Sequence, residues 1–132
     1  MKIATVTIVV GIALIAVASP IVAHHSIAEY DNTKQVIIKG VVTSLDWRNP
    51  HVHIYLDVPD SAHRHVHWSL ETWSPGQLAV RGLTNTFIRP GDHVSVDVYS
   101  AKDGSAKAVV RSFTLPDGQV LDGPPGDSTG AK

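Results

Sequence analysis

Two runs of strict alternation, separated by a short polar turn, constrain this chain more than any other feature. Between His51 and Val58, the apolar Val52, Ile54, Leu56 and Val58 share one face, and His51, His53, Tyr55 and Asp57 share the other. Between His63 and Glu71, Val66, Trp68 and Leu70 oppose His63, His65, His67, Ser69 and Glu71. A side-chain period of two is that of a strand, and Pro59-Asp60-Ser61-Ala62 between the runs makes them an antiparallel hairpin. With Asp60-Ser61-Ala62 as the loop, the expected opposed pairs are Pro59–His63, Asp57–His65, Tyr55–His67, His53–Ser69 and His51–Glu71. A slip by one residue would turn every apolar side chain to solvent, so the phase is well specified; a slip by two preserves it.

The remaining segments extend this pattern. Val36 to Leu45 reads as a strand with Gly40 as a bulge or bend, and Asn49-Pro50 as a turn. Ser74-Pro75 has the form of a helix N-cap followed by proline at the first helical position. Leu78, Val80 and Leu83 would give that short helix a buried side, and Gly82 would help stop it. After the Pro90-Gly91-Asp92 turn, Val94, Val96 and Val98 alternate as a strand. Asp103-Gly104 marks a further hairpin, Ala108 to Leu115 the last long strand, and Asp117-Gly118 allows a short extension to Leu121. Three strands, a short helix and two strands predict a mostly β fold: a small five-stranded OB-like Greek-key barrel with the helix between strands 3 and 4. A β-sandwich is the alternative. A closed barrel leaves no open sheet edge, which suits a chain that has no cysteine to cross-link it.

At 132 residues there is room for one domain. Lys2, the apolar run Ile3 to Val17 and the break at Ser19-Pro20-Ile21-Val22-Ala23 predict a signal peptide over residues 1–23. The apolar run is short for a membrane span, which needs about 20 residues, so no stable span is expected once it is removed. Cleavage after Ala23 exposes His24-His25-Ser26; cleavage after Ala18 or Val22 gives other termini. The barrel is expected over residues 24–121, with a Gly-, Pro-, Ser- and Asp-rich disordered tail over 122–132. The expected location is periplasmic or secreted. Net charge is −1 with neutral histidine, and loss of Lys2 makes it more negative. That balance, with export, leads to the expectation of no nucleic-acid partner.

Eight histidines are the unusual compositional feature, and seven of them fall in two groups, His24-His25 and His51 to His67. The only methionine is the first residue and cysteine is absent, so a soft-metal site would have to use imidazole with carboxylate or amine. Histidines opposed across a hairpin lie about 5 Å apart, close enough to share one ion. An outward histidine stripe equally suits a solvated face, or a face covered by the N-terminal segment. For His63, His65 and His67, near the tip, the solvated face is the more economical reading. His51 follows the Asn-Pro turn and could bind an ion or fix that turn by a hydrogen bond. An N-terminal His24 would offer α-amine and imidazole nitrogens together, a chelate suited to copper or zinc; cleavage after Val22 would instead place His25 third, an arrangement for Cu(II) or Ni(II).

His24-His25-Ser26, Lys39-Gly40-Val41-Val42, Trp47 with Asn49-Pro50-His51, Glu71 with Ser74-Pro75, Leu78, Arg81-Gly82, Gly91-Asp92 and Asp117-Gly118 stand in a characteristic order. In this ordered set the chain resembles a family of small exported bacterial proteins, domain of unknown function 6152. The resemblance covers nearly all of the chain after the leader. It departs at Leu83, where the family often has Trp, and in the additional His63, His65 and His67. It implies export and the fold, and it singles out His24, His25, His51 and Glu71 as matching the family's motif positions.

The expected function is that of a small exported metal-binding protein, for copper or alternatively zinc, in carriage or buffering. The expected ligands are His24, His25 and His51, with Glu71 as a ligand or as the group that orients His51; His53 and His67 are further candidates. Expected partners are a metal ion or another exported protein. The alternative is a metal-independent OB-type module for a peptide, oligosaccharide or protein, with Trp47, Trp68, Trp73 and Tyr55 as stacking surfaces. No phosphate loop, dinucleotide motif or nucleophile–base constellation points to an enzyme.

Overall fold

The computed structural model describes residues 27–122. The expected signal peptide, His24, His25 and the expected tail beyond Asp122 lie outside the described residues. A 3-10 turn (Ile27–Glu29) leads to strands β1 (Val36–Asp46), β2 (His53–Pro59) and β3 (His65–Glu71). Helix α1 (Pro75–Val80) follows, then β4 (His93–Ser100), β5 (Lys107–Thr114) and a short β6 (Val120–Asp122). The sheet order is β3-β2-β1-β4-β5-β6, and a parallel β3–β5 pairing at Ser69–Glu71 with Lys107–Val109 closes the first five strands into a barrel. This is the OB-like arrangement expected from the sequence, with the helix between β3 and β4.

Closure depends on β1. Its first half pairs with β4, from Val36↔Val98 to Val41↔His93, and its second half pairs with β2, from Val41↔Asp57 to Asp46↔His53. A strand that serves two neighbours in this way must coil sharply. The bulge lies between Val42 and Ser44, rather than at Gly40. Gly40 instead sits where two strands crowd together. A Cβ there would lie 2.6 Å from the Asp57 carbonyl oxygen and 2.9 Å from Val58 Cγ2. Only glycine lets the β1 and β2 backbones approach that closely.

Alternation delivers the core. Ile38, Val42, Ile54, Leu56, Leu70, Val96, Val98, Val110 and Phe113 are all buried in one cluster. The bulge in β5 explains why burial there is not strictly alternate. Asp97 pairs with Ser112 and Val98 with Val110, so Arg111 is the extra residue. It turns outward to Asp97 (Nη2–Oδ2 2.5 Å), while Val110 before it and Phe113 after it both point inward. The helix begins as its sequence demands. Ser74 accepts from the Gln77 amide (3.2 Å), and Gln77 Oε1 accepts from the Ser74 amide (3.0 Å), a full capping box. Leu78 is buried beneath it and Gly82 has φ +78°. Val80, expected on the buried side, is 88% exposed: six residues make less than two turns, and Leu78 alone reaches the barrel.

The hairpin keeps its apolar phase but not the expected register. Ile54 faces Leu70, Leu56 faces Trp68 and Val58 faces Val66. The outward pairs are shifted by two residues: His53↔Glu71, Tyr55↔Ser69, Asp57↔His67 and Pro59↔His65. The cause is Asp60. Its carboxylate accepts from the amides of Ala62 (2.8 Å) and Arg64 (3.0 Å), and its own amide donates to the Arg64 carbonyl (2.9 Å). His63 takes up φ +58°. The loop is therefore Ser61–His63, a turn followed by a left-handed residue, closed by the Asp60–Arg64 backbone bond next to the last ladder pair.

Candidate functional site

Beyond the start of β2 the chain stays clamped to β3. The Val52 amide donates to the Trp73 carbonyl (2.9 Å), and the Thr72 amide and hydroxyl both donate to the Val52 carbonyl (2.9 and 2.8 Å). Val52, Thr72 and Trp73 are all essentially inaccessible to solvent. Their flanking residues must then point to the other face, and this sets His51 beside Glu71. His51 Nδ1 lies 2.6 Å from Glu71 Oε1, with the two side chains 20% and 13% exposed. The pair thus meets although the strand register places His53, not His51, opposite Glu71.

This pair lines a polar cleft of about 430 Å³. The end of β1 contributes Asp46, the turn after it Arg48 and the cis-linked Asn49-Pro50. From β2 come His53 and Tyr55, from β3 Ser69 and Glu71, and from β5 Lys107. Arg48 is bonded to Asp46 (Nη2–Oδ2 2.5 Å), which holds its guanidinium pKa above the ordinary value. The remaining wall is formed by Glu29 and Tyr30 of the N-terminal segment.

Glu29 and Tyr30 are the residues that sequence reading missed. Tyr30 is 8% exposed, the one buried side chain among the described residues of a stretch that reads as polar and mixed. Burial first, and the charge of Glu71 next, push its phenol above 10.0. An isolated tyrosine among polar residues was the available signal. The N-terminal segment thus borders the part of the outward face that holds His51 and His53, while His63, His65 and His67 are exposed.

The expected site residues separate into three sets. His51, His53 and Glu71 line one cleft. His67 does not join them; the shifted register pairs it with Asp57, to which its Nδ1 bonds, and its side chain is 82% exposed. His24 and His25 lie outside the described residues. Among the described residues no group of three or more His, Asp or Glu side chains is arranged to hold a metal ion. His51 with Glu71 is thus at most part of a coordination sphere. Of the expected stacking residues, Trp73 is buried in the core under the Arg81 guanidinium (4.9 Å to the ring centre) and offers no surface. Tyr55 is 37% exposed in the cleft. Among the described residues no helix is long and apolar enough to cross a membrane.

These features define a small closed OB-like barrel with a histidine–carboxylate cleft that Glu29 and Tyr30 of the N-terminal segment help to line. The chain belongs to the Family of unknown function (DUF6152), whose model matches residues 12–111. No curated protein matches it. A solved structure similar to it is that of the mitochondrial single-stranded DNA binding protein Rim1 of S. cerevisiae, with 13% identity and a TM-score of 0.41, covering 68% of this chain and 96% of that one. At that identity the likeness concerns the chain path. The expectation of no nucleic-acid partner is corrected and not carried further: that neighbour is a single-stranded DNA-binding protein.

Proposed function

We propose that this is an exported metal-binding protein in which His51, oriented by Glu71, joins donors from the N-terminal segment to hold one ion, copper in the first place and zinc in the second. The observation that carries the reading is the position of Glu29 and Tyr30 in the wall of the His51–Glu71 cleft. His25 is four residues before Glu29 in the sequence, and four residues span at most about 14 Å. A carboxylate on one ring nitrogen fixes the orientation of an imidazole and raises its basicity toward a metal at the other. Imidazole and amine donors select copper or zinc over the harder cations. Carriage or buffering is the role that suits such a site.

The test is native mass spectrometry of the protein exported by its host, followed by titration of the apoprotein with Cu(II) and Zn(II). The expected result is about one ion per chain, lost in His51→Ala. Exported protein that is ion-free and indifferent to both metals overturns the reading. In that case the exposed Tyr55 in the cleft favours the alternative, a metal-independent module for a peptide or oligosaccharide.

A further inference from the structure

A second depression lies on the outer face of the barrel, and it shares no lining residue with the His51–Glu71 cleft. It is built where β1 changes neighbours. Val41 is the residue at which β1 pairs with both β4, at His93, and β2, at Asp57. Ile38, Val42, Val94 and Val96 turn into the core, so Lys39, Val41, His93 and Ser95 turn outward. On one side Ser95 leads across the ladder to Thr114 of β5. On the other, Pro59 and His65 face each other in the β2–β3 hairpin. The groove that these residues line has a volume of about 550 Å³, within the range of about 300–1,000 Å³ usual for small-ligand clefts.

The lining is two-sided in its chemistry. Val41, Pro59, Leu115 and Pro116 supply apolar surface. Lys39, His65 and His93 stand around it, all exposed, and among the described residues none of the three side chains has a hydrogen bond or ion pair. The one carboxylate of the lining, Asp57, is already held against His67 Nδ1. Every unspent polar side chain here can therefore donate, and Lys39 carries a fixed positive charge. In a chain whose net charge is −1 this is a local departure, and its complement is an anionic group.

The main chain argues against a peptide as the occupant. Ser95 pairs with Lys39 on one side and Thr114 on the other, so both its edges are taken. Pro59 and Pro116 have no amide to donate. Extended peptides bind through main-chain hydrogen bonds along a free strand edge, and this groove offers few. It fits instead a ligand whose polar atoms are gathered at one end.

We infer that this groove binds a single-chain anionic amphiphile, with its carboxylate met by Lys39 and the neighbouring imidazoles and its hydrocarbon chain laid over Val41, Pro59 and Pro116. The site uses none of the residues of the metal reading and does not depend on it.

The experiment titrates dodecanoate, kept below its micelle concentration, into the full mature chain by calorimetry. Wild type is compared with Lys39→Ala, Lys39→Arg and Lys102→Ala; Lys39 and Lys102 are both exposed, but Lys102 lies outside the groove. The expected result is saturable binding that weakens about tenfold in Lys39→Ala, as loss of one charged hydrogen bond requires. Lys39→Arg and Lys102→Ala should bind as wild type does. Dodecyltrimethylammonium, with the same chain and the opposite head charge, should bind more weakly than dodecanoate. Absence of dodecanoate binding overturns the proposal, as does equal binding of the two amphiphiles. Unchanged affinity in Lys39→Ala, or an equal loss in Lys102→Ala, overturns the placement in this groove. A hexaglutamate peptide that binds more tightly than dodecanoate would replace the amphiphile by an acidic protein segment.

Discussion

His51 and Glu71 meet at 2.6 Å although neither is the other's partner in the strand ladder. They meet because buried Val52 is clamped between Thr72 and Trp73, which leaves the two outward neighbours side by side. Glu71→Gln keeps the shape and an acceptor oxygen but removes the charge. If the carboxylate orients and activates His51, metal affinity should fall by about 10–100-fold. His67→Ala, at an exposed position paired to Asp57, should leave affinity unchanged. Titration of both variants with Cu(II) checks this; equal losses in the two would mean that histidine number, not the cleft, governs binding.

Gly40 permits the approach of β1 to β2 on which barrel closure depends. The Cβ of an alanine would meet a backbone carbonyl at 2.6 Å, and backbone cannot move aside as a flexible side chain can. Gly40→Ala should cost about 1–3 kcal/mol, the usual range for overpacking. The urea midpoint reads this directly. A midpoint equal to wild type would mean that the two strands separate without loss.

Much of this architecture was legible because alternation is a local signal that the core obeys. Ile54, Leu56 and Leu70 are buried as the period of two requires, and Ser74-Pro75 opens the helix. What was not legible depended on single side chains acting on the backbone. Asp60 closed the turn through its carboxylate and moved the register by two, a shift to which apolar phase is blind. Arg111 entered as an extra residue in β5. For the site, His51 and Glu71 were visible as residue types, but their contact came from backbone beyond the strand end. Tyr30 showed only as a lone aromatic in a polar stretch, since its bridge to Ala101 has no local signature.

The capping box should carry measurable stability. Ser74 accepts from Gln77, and the helix it opens seats the fully buried Leu78. Ser74→Ala should destabilise the protein by about 1 kcal/mol. Gln77→Ala removes only the return bond to the Ser74 amide and should cost less. Urea midpoints of the two variants give the order; a larger loss in Gln77→Ala would show that the return bond, not the cap, holds the helix end.

Acid should weaken the fold through three turn carboxylates. A hydrogen bond from the Thr33 hydroxyl lowers the pKa of Asp31, one from the Arg64 amide lowers that of Asp60, and one from the Ser105 hydroxyl lowers that of Asp103, each relative to the ordinary 3.8. A carboxylate whose folded pKa is depressed stabilises the native state above its unfolded pKa, and that contribution is lost as pH falls through the folded value. The urea midpoint should therefore decline as pH drops below about 4. All three groups are exposed, so each effect is small and the combination is needed to resolve it. In the triple variant Asp31→Asn, Asp60→Asn, Asp103→Asn, each side chain keeps an acceptor oxygen but can no longer take up a proton. Its midpoint should fall less steeply than wild type over the same acid window. Parallel curves for the two proteins would assign the acid sensitivity to other carboxylates.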